Sequence, residues 1–191
     1  MRSPPDWRGR TVACLASGPS LMVEDCVAAR EAGCVTIVTN TTFRLCPWAD
    51  ALFAFDSQWW KAHISEVRRS FGGRLFTQSL SYLYREVETT AILRGWRSFG
   101  NSGANAVALA IVCGAPRVIL LGYDCALTGG RSHHHGDHPT GMRNCDTLPR
   151  WPAQFARLAT FAAKRGVEVV NASRASALEC FPRATLAEAL P

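Results

Sequence analysis

Histidine is concentrated in one short stretch of the chain, residues 133–138 (HHHGDH), which holds four of its five histidines. Imidazole titrates near neutral pH, so a histidine here could act as a general acid or base or contact a phosphate. Imidazole is also a common metal ligand, and His133, His135 and Asp137 could hold a zinc-like ion. The helical His-Glu-x-x-His spacing is absent, and a solvated loop without a function is the third interpretation. The residue types leave all three open.

Two carboxylates each follow a predicted buried strand. Asp56 ends the apolar run ALFAF, and Asp124 follows VILLGY. A carboxylate at a strand end can bind Mg²⁺, a ribose or an acceptor hydroxyl, and it can equally cap the next helix. We therefore treat Asp124 as a candidate catalytic residue and Asp56 as a candidate binding residue.

Two polar turns supply the other candidates. Residues 17–20 (SGPS) follow the first predicted strand, and residues 101–103 (NSG) open an alanine-rich helix. Unpaired N–H groups and a partial positive charge make a helix N-terminus suitable for a phosphate or carboxylate, although capping alone explains a serine there. The full set of predicted binding residues is Ser17, Gly18, Pro19, Ser20, Asn40, Asp56, Asn101, Ser102, Gly103, Asn105 and Tyr123.

A parallel sheet would bring these strand ends together, and the hydrophobic pattern predicts one. Short apolar runs alternate with helical segments, as in a Rossmann-like α/β domain with a mostly parallel sheet flanked by helices. Strands are predicted at residues 11–16, 35–39, 51–55, 74–77, 118–121 and 167–170. Helices are predicted at about 20–32, 57–70, 104–113, 151–165, 175–180 and 184–189, with Ser20 capping the first. Residues 78–98 are predicted to form an irregular insertion, 126–150 a long histidine-rich loop, and 1–9 a loose arm.

The composition is that of a soluble globular domain. The 191 residues are 48% apolar and 19% charged, which favours one domain spanning residues 1–191. No apolar run is long enough for a membrane helix and the N-terminus lacks an apolar signal region, so we expect a cytoplasmic protein without a membrane partner. Eight cysteines without a CxxC pair predict buried, reduced thiols.

The chain is basic, with a net charge of +6 and several arginines in its middle third. Arg68, Arg69, Arg94 and Arg97 could contact a nucleic acid or an anionic donor, or they could form an ordinary solvated basic face. Charge alone does not decide between these interpretations, and the sequence does not indicate an oligomeric state.

Several motifs, in this order along most of the chain, resemble one known group of proteins. They are SGPSL (17–21), the strand ending at Asn40, Phe55-Asp56, and NSGANAVALAIVCGAPRVILLGYD (101–124). The chain resembles the bacterial sialyltransferases of the lipooligosaccharide type and their relatives. Those relatives include archaeal 6-hydroxymethyl-dihydropterin pyrophosphokinase-like proteins and many phage proteins.

This resemblance implies a site for a cytidine nucleotide sugar. By its motifs, residues 18–20 and Asn40 would line the nucleotide, with Ser102 and Gly103 on the other side. The family's general-base histidine follows the strand that ends in Gly-x-Asp, and its positional match is His138. The family also places two tyrosines soon after that aspartate. Here only Tyr123 is near, so the resemblance implies a nucleotide-sugar donor without specifying sialic acid.

Three functional hypotheses follow. The first is a nucleotide-sugar-dependent glycosyltransferase-like protein that requires no cofactor, with His138 as base and Asp124 positioning the substrate. The phage proteins among the similar sequences suggest that it is phage-encoded. The second is a Mg²⁺-dependent pyrophosphokinase or nucleotidyl-type transferase that holds the metal through Asp56 and Asp124. The third is a non-enzymatic protein that binds a nucleotide or nucleic acid.

Overall fold

A seven-stranded parallel sheet forms the centre of the computed structural model, which describes residues 3–78, 84–127, 129–134, 136 and 148–191. The strand order is β5-β4-β3-β2-β1-β6-β7, and every neighbouring pair is parallel. The strands are β1 (Thr11–Leu15), β2 (Val35–Thr39), β3 (Ala51–Phe53), β4 (Arg74–Thr77), β5 (Val87–Thr89), β6 (Arg117–Leu121) and β7 (Glu168–Asn171). Because β1 lies between β2 and β6, the strand order reverses beside β1, where open α/β sheets bind their ligands.

Helices cover both faces of the sheet, which is why its central strands are continuously apolar. The helices are α1 (Val23–Glu31), α2 (Ser57–Ser70), α3 (Ser102–Val112), α4 (Trp151–Ala163) and α5 (Leu186–Ala189). One core cluster contains side chains of α3 and α4, and the other contains side chains of α1 and α2. The alanines of α3 are fully buried, and this helix packs across β1, β2, β3 and β6. Its N-terminus therefore lies at the carboxyl edge of the sheet.

The predicted Rossmann-like α/β fold is confirmed, and several local predictions are corrected. Residues 78–98 contribute strand β5, which pairs in parallel with β4. Residues 175–180 are not helical, whereas α5 lies within the segment predicted at 184–189. Within the arm expected to be loose, Trp7 is buried and its N–H donates to the carbonyl of Cys113 at 2.8 Å.

Six of the seven described cysteines are buried. Burial raises the pKa of Cys14 and of Cys113 to about 12, so both remain protonated at neutral pH. None of the helices in the described ranges has the length and hydropathy needed to cross a bilayer.

Candidate functional site

A cleft of about 450 Å³ opens at the carboxyl edge of the sheet, beside the point where the strand order reverses. Its walls come from the segments that follow β1, β2, β3 and β6 and from the first turns of α2, α3 and α4. Pockets that bind small molecules have volumes of roughly 300–1,000 Å³. The cleft is therefore large enough for a nucleotide.

Most of the residues predicted from the sequence line this cleft. They are Ser17, Gly18, Asn40, Asp56, Asn101, Ser102, Gly103, Tyr123 and Asp124. Pro19, Ser20 and Asn105 are absent from the lining. His138, the predicted base, lies outside the described residues, as do His135 and Asp137 of the alternative metal site. The binding and catalytic roles of all these residues stay predictions.

A hydroxyl at the start of α3 joins three elements at the floor of the cleft. Ser102 Oγ donates to Asn40 Oδ1 at 2.9 Å and accepts the N–H of Phe55 at 3.1 Å. Asn40 has a φ of 47°, a left-handed conformation that asparagine adopts more readily than most residues. The ends of β2 and β3 are thereby held against the N-terminus of α3.

The cap of α3 is Asn101, and Ser102 is the first residue of the helix. Asn101 Oδ1 accepts the N–H of Ala104 at 2.8 Å, and its Nδ2 donates to Gln154 of α4 at 2.6 Å. The N–H groups of Ser102 and Gly103 make no hydrogen bond within the described residues. They are the unpaired donors that a helix N-terminus offers to an anion.

The turn after β1 is built around the buried carboxylate of Asp124. Its two oxygens accept the N–H of Ser20 at 2.9 Å and the hydroxyl of Ser20 at 2.5 Å. The prediction that Ser20 caps α1 is therefore wrong, since the cap position is Met22 and has no side-chain hydrogen bond. A Cβ on Gly18 would lie 2.2 Å from Asp124 Oδ1, so the close approach of the turn to Asp124 requires glycine.

Asn105 and Tyr123 support the site from within the core. Asn105 Oδ1 accepts the N–H of Phe99 at 2.8 Å and so positions the segment before α3. The hydroxyl of Tyr123 donates to the carbonyl of Gly103 at 3.1 Å, and burial raises its pKa well above the ordinary value. Tyr123 therefore remains a neutral donor that holds the first turn of α3 in place.

Asp56 differs from Asp124 because its carboxylate is exposed in the cleft. It occupies the cap position of α2, yet its side chain makes no capping hydrogen bond. The capping interpretation of Asp56 is therefore wrong.

The neighbouring Gln58 also lines the cleft. Sequence reasoning missed Gln58, although its position in the first turn of a helix after a strand end was a usable signal.

The first two histidines of the 133–138 stretch fold against the cleft. His133 is buried, and its Nδ1 lies 3.0 Å from Ser17 Oγ. The N–H of His134 donates to the carbonyl of Ser17 at 3.0 Å, and its Nε2 lies 3.4 Å from Thr42 Oγ1. The interpretation of this stretch as a solvated loop is therefore wrong for these two residues. Within the described ranges, no three histidine, cysteine or acidic side chains cluster as a metal site.

One buried and one half-buried histidine should make stability depend on pH. Removal from water lowers the pKa of His134 and of His63 below the ordinary value of 6.5. His63 lies on α2, and its Nε2 has no hydrogen-bond partner among the residues that the structure describes. The nearby Arg44 lowers the pKa of His63 further, and Glu66 opposes this shift. The unfolded chain then binds more protons than the folded one below pH 6.5. Stability should be complete above that pH and fall as the pH decreases toward the folded-state pKa values.

Urea unfolding at pH 7.5 and pH 5.5 measures this loss, which is at most about 1.4 kcal/mol per pH unit for each histidine. The variant His63→Gln cannot take up the proton, so its free energy of unfolding should fall less between the two pH values. Parallel pH profiles for the two proteins would contradict the assignment to His63.

Comparison with known proteins identifies the fold. No protein-family model matches the sequence, and a search of curated proteins found no match. Among solved structures, the chain is similar to the sialyltransferase CstII from Campylobacter jejuni, determined in complex with the substrate analogue CMP-3FNeuAc. The two share 15% sequence identity and a TM-score of 0.60 over 91% of this chain and 85% of the other. The resemblance stated from the sequence motifs is thus confirmed at the level of the fold.

Proposed function

We propose that this protein is a nucleotide-sugar-dependent transferase whose donor occupies the cleft at the carboxyl edge of the sheet. The observation that carries the proposal is the N-terminus of α3. Ser102 and Gly103, whose N–H groups are unpaired within the described residues, line the cleft beside the Asn40–Ser102 hydrogen bond. The similar fold of CstII was determined with a CMP-sugar analogue. The cleft here has the volume and the donors for such a ligand.

The charge of the cleft favours a donor with a single phosphate. Asp56 and Asp124 line it, and its described lining contains no lysine or arginine. A phosphate in the cleft is then stabilised only by the N–H groups and the partial positive charge at the N-terminus of α3. These stabilise about one negative charge, and they do so less strongly than a lysine or an arginine would. A nucleoside monophosphate sugar such as a CMP-sugar carries one phosphate, whereas a nucleoside diphosphate sugar carries two.

The transfer requires a base beside the acceptor. An acceptor hydroxyl attacks the anomeric carbon, the bond from that carbon to the phosphate oxygen breaks, and the nucleotide leaves with the electron pair. The proton of the hydroxyl passes to the base. We assign this role to His138 because its position in the sequence matches the histidine of the family motif. Ser17 and His133 both line the cleft, and His133 precedes His138 by five residues in the sequence.

Calorimetric titration with CMP, UMP, UDP and a CMP-sugar, each with and without Mg²⁺, tests the proposal. We expect CMP and the CMP-sugar to bind without metal. The variant Ser102→Ala should bind about tenfold more weakly, a loss of about 1.4 kcal/mol, because the floor of the cleft is no longer held together. Ser70→Ala, which removes an exposed hydroxyl on α2, is the matched control. Absence of nucleotide binding, or equal affinity in the two variants, would refute the proposal.

The carboxylates of Asp56 and Asp124 favour a second candidate, a Mg²⁺-dependent phosphotransfer enzyme that uses both as ligands. The variant Asp56→Asn distinguishes the two candidates, because this exposed side chain supports no hydrogen bond of the fold within the described residues. In a metal-independent transferase the loss of a negative charge should tighten CMP binding slightly. In the alternative, binding of a nucleoside triphosphate would require Mg²⁺ and would be lost in Asp56→Asn.

A further inference from the structure

A second concave site of about 320 Å³ lies on the outer surface of α4, away from the cleft. It is formed between the segment that precedes α3 and the C-terminal half of α4. Its charged side chains are all cationic: Arg97, Arg157, Lys164 and Arg165. This group is called the basic pocket below.

No acidic side chain of the described residues lines the basic pocket. Within the described residues, none of its four cations forms an ion pair. The chain from residue 148 to residue 167 contains no aspartate or glutamate. Four like charges around one cavity repel each other, so an anion with more than one negative charge would relieve the repulsion.

The floor of the basic pocket is apolar and holds one cation in place. Phe99 and Phe161 are buried, with their ring centroids 5.2 Å apart. The guanidinium of Arg165 lies 3.7 Å from the centroid of the Phe161 ring and donates to the carbonyl of Gly95 at 3.4 Å. A cation fixed over an apolar floor interacts more strongly with an anion than one on a flexible, fully solvated side chain.

The basic pocket continues into a row of positive charges along α4. Arg157 lies within α4, and Arg150 and Lys164 are the cap residues at its two ends. All three are exposed and spaced seven residues apart, which places them on nearly the same side of the helix. At 1.5 Å per residue the row is about 21 Å long. It could contact a ligand longer than the basic pocket itself.

We propose that the basic pocket binds a ligand with two or more adjacent phosphate groups, of which pyrophosphate is the simplest. The proposal does not depend on the nucleotide cleft. Such phosphates occur in free polyphosphorylated molecules and in the backbone of a nucleic acid, and both present closely spaced anions to a row of cations. Of the arginines considered from the sequence, Arg97 lies in this pocket, whereas Arg68 is paired with Glu86 at 2.5 Å.

The test compares the double variant Arg157→Gln/Lys164→Gln with Lys61→Gln/Arg69→Gln. The control pair removes the same charge from exposed positions on α2, in the helix layer on the other face of the sheet. Pyrophosphate binding is measured by calorimetry, and binding of a fluorescent 15-nucleotide single strand by anisotropy. We expect at least tenfold weaker binding in the α4 variant and less than twofold change in the control.

The two sources of phosphate give different results that both support the proposal. If pyrophosphate binds and the oligonucleotide does not, the ligand is a free phosphorylated molecule. If the oligonucleotide binds and pyrophosphate displaces it, the ligand is a nucleic acid backbone, and the salt slope of binding should fall by about 1.4 in the α4 variant. Equal binding in the two double variants, or no binding of either probe in low salt, would overturn the proposal. Loss of binding only in Ser102→Ala would place the phosphate in the cleft and overturn it as well.

Discussion

Replacing Gly18 with alanine is expected to lower the free energy of unfolding by about 3 kcal/mol, at the upper end of the cost of overpacking. The new Cβ would lie 2.2 Å from Asp124 Oδ1 and 2.4 Å from the carbonyl oxygen of Gly122. Neither atom can move freely. Asp124 is held by Ser20, and the carbonyl of Gly122 accepts the N–H of Gly18 at 2.9 Å.

Gly72→Ala is the matched control for this substitution, since a Cβ at Gly72 meets nothing within 4 Å. Its free energy of unfolding should stay within about 0.5 kcal/mol of the parent value, and reduced freedom of the unfolded chain could even stabilise it slightly. Urea unfolding at pH 7.5 measures both variants. Equal stability of the two would mean that the turn after β1 can rearrange without cost. Weaker nucleotide binding in Gly18→Ala alone would then connect this turn to the cleft.

The fold could be predicted because its signals are local. The buried strands β1, β2 and β6 are continuous apolar runs, and helix α2 has the predicted bounds, 57–70. Strand β5 escaped prediction because Val87–Thr89 is three residues long and half-buried. Such a segment carries neither an apolar run nor a clear alternation, and its pairing with β4 is decided by tertiary contacts.

The segment at 175–180 shows how long-range contacts override a local helical preference. The hydroxyl of Ser176 donates to the carbonyl of Tyr123 at 2.6 Å, and the N–H of Ala177 donates to the carbonyl of Asp124 at 2.8 Å. The segment that follows β6 thus binds residues 176 and 177 through a side-chain hydroxyl and a backbone N–H, and residues 175–180 adopt a non-helical conformation. These partners lie more than fifty residues apart in the chain, and no local pattern reveals them.

The candidate site was predictable in its location and less so in its internal bonding. Parallel strands bring their polar ends to one edge, and this placed Asn40, Asp56 and Asp124 beside the same cleft. The partner of each side chain was not predictable. Ser20 has the residue type and position of a helix cap, but it binds a carboxylate 104 residues away. His138 lies outside the described part of the chain, and its assignment as the base stays a prediction.

Replacing Asp124 with alanine should also cost about 3 kcal/mol, because hydrogen bonds to a charged acceptor contribute about 1.5–3 kcal/mol each and the Ser20 N–H loses its partner. The side chain of Asp124 is 1% exposed and accepts two hydrogen bonds from Ser20. Asp124→Asn keeps the shape and one acceptor oxygen, so we expect it to lose about 1 kcal/mol. A carboxylate that served only as a catalytic group or metal ligand would give the opposite pattern, with stable but inactive variants.

A double-mutant cycle with Ser20→Ala separates the structural contribution of Asp124 from any direct contact with a ligand. The single change Ser20→Ala removes the hydroxyl donor and leaves the N–H bond. If the Ser20–Asp124 hydrogen bond stabilises the turn, the two substitutions should be non-additive by about 1–2 kcal/mol in urea unfolding. Additive effects would show that Asp124 stabilises the fold through other groups. If CMP affinity falls in Asp124→Ala but not in Ser20→Ala, the carboxylate acts on the ligand; if both fall together, the turn that it holds is what the nucleotide needs.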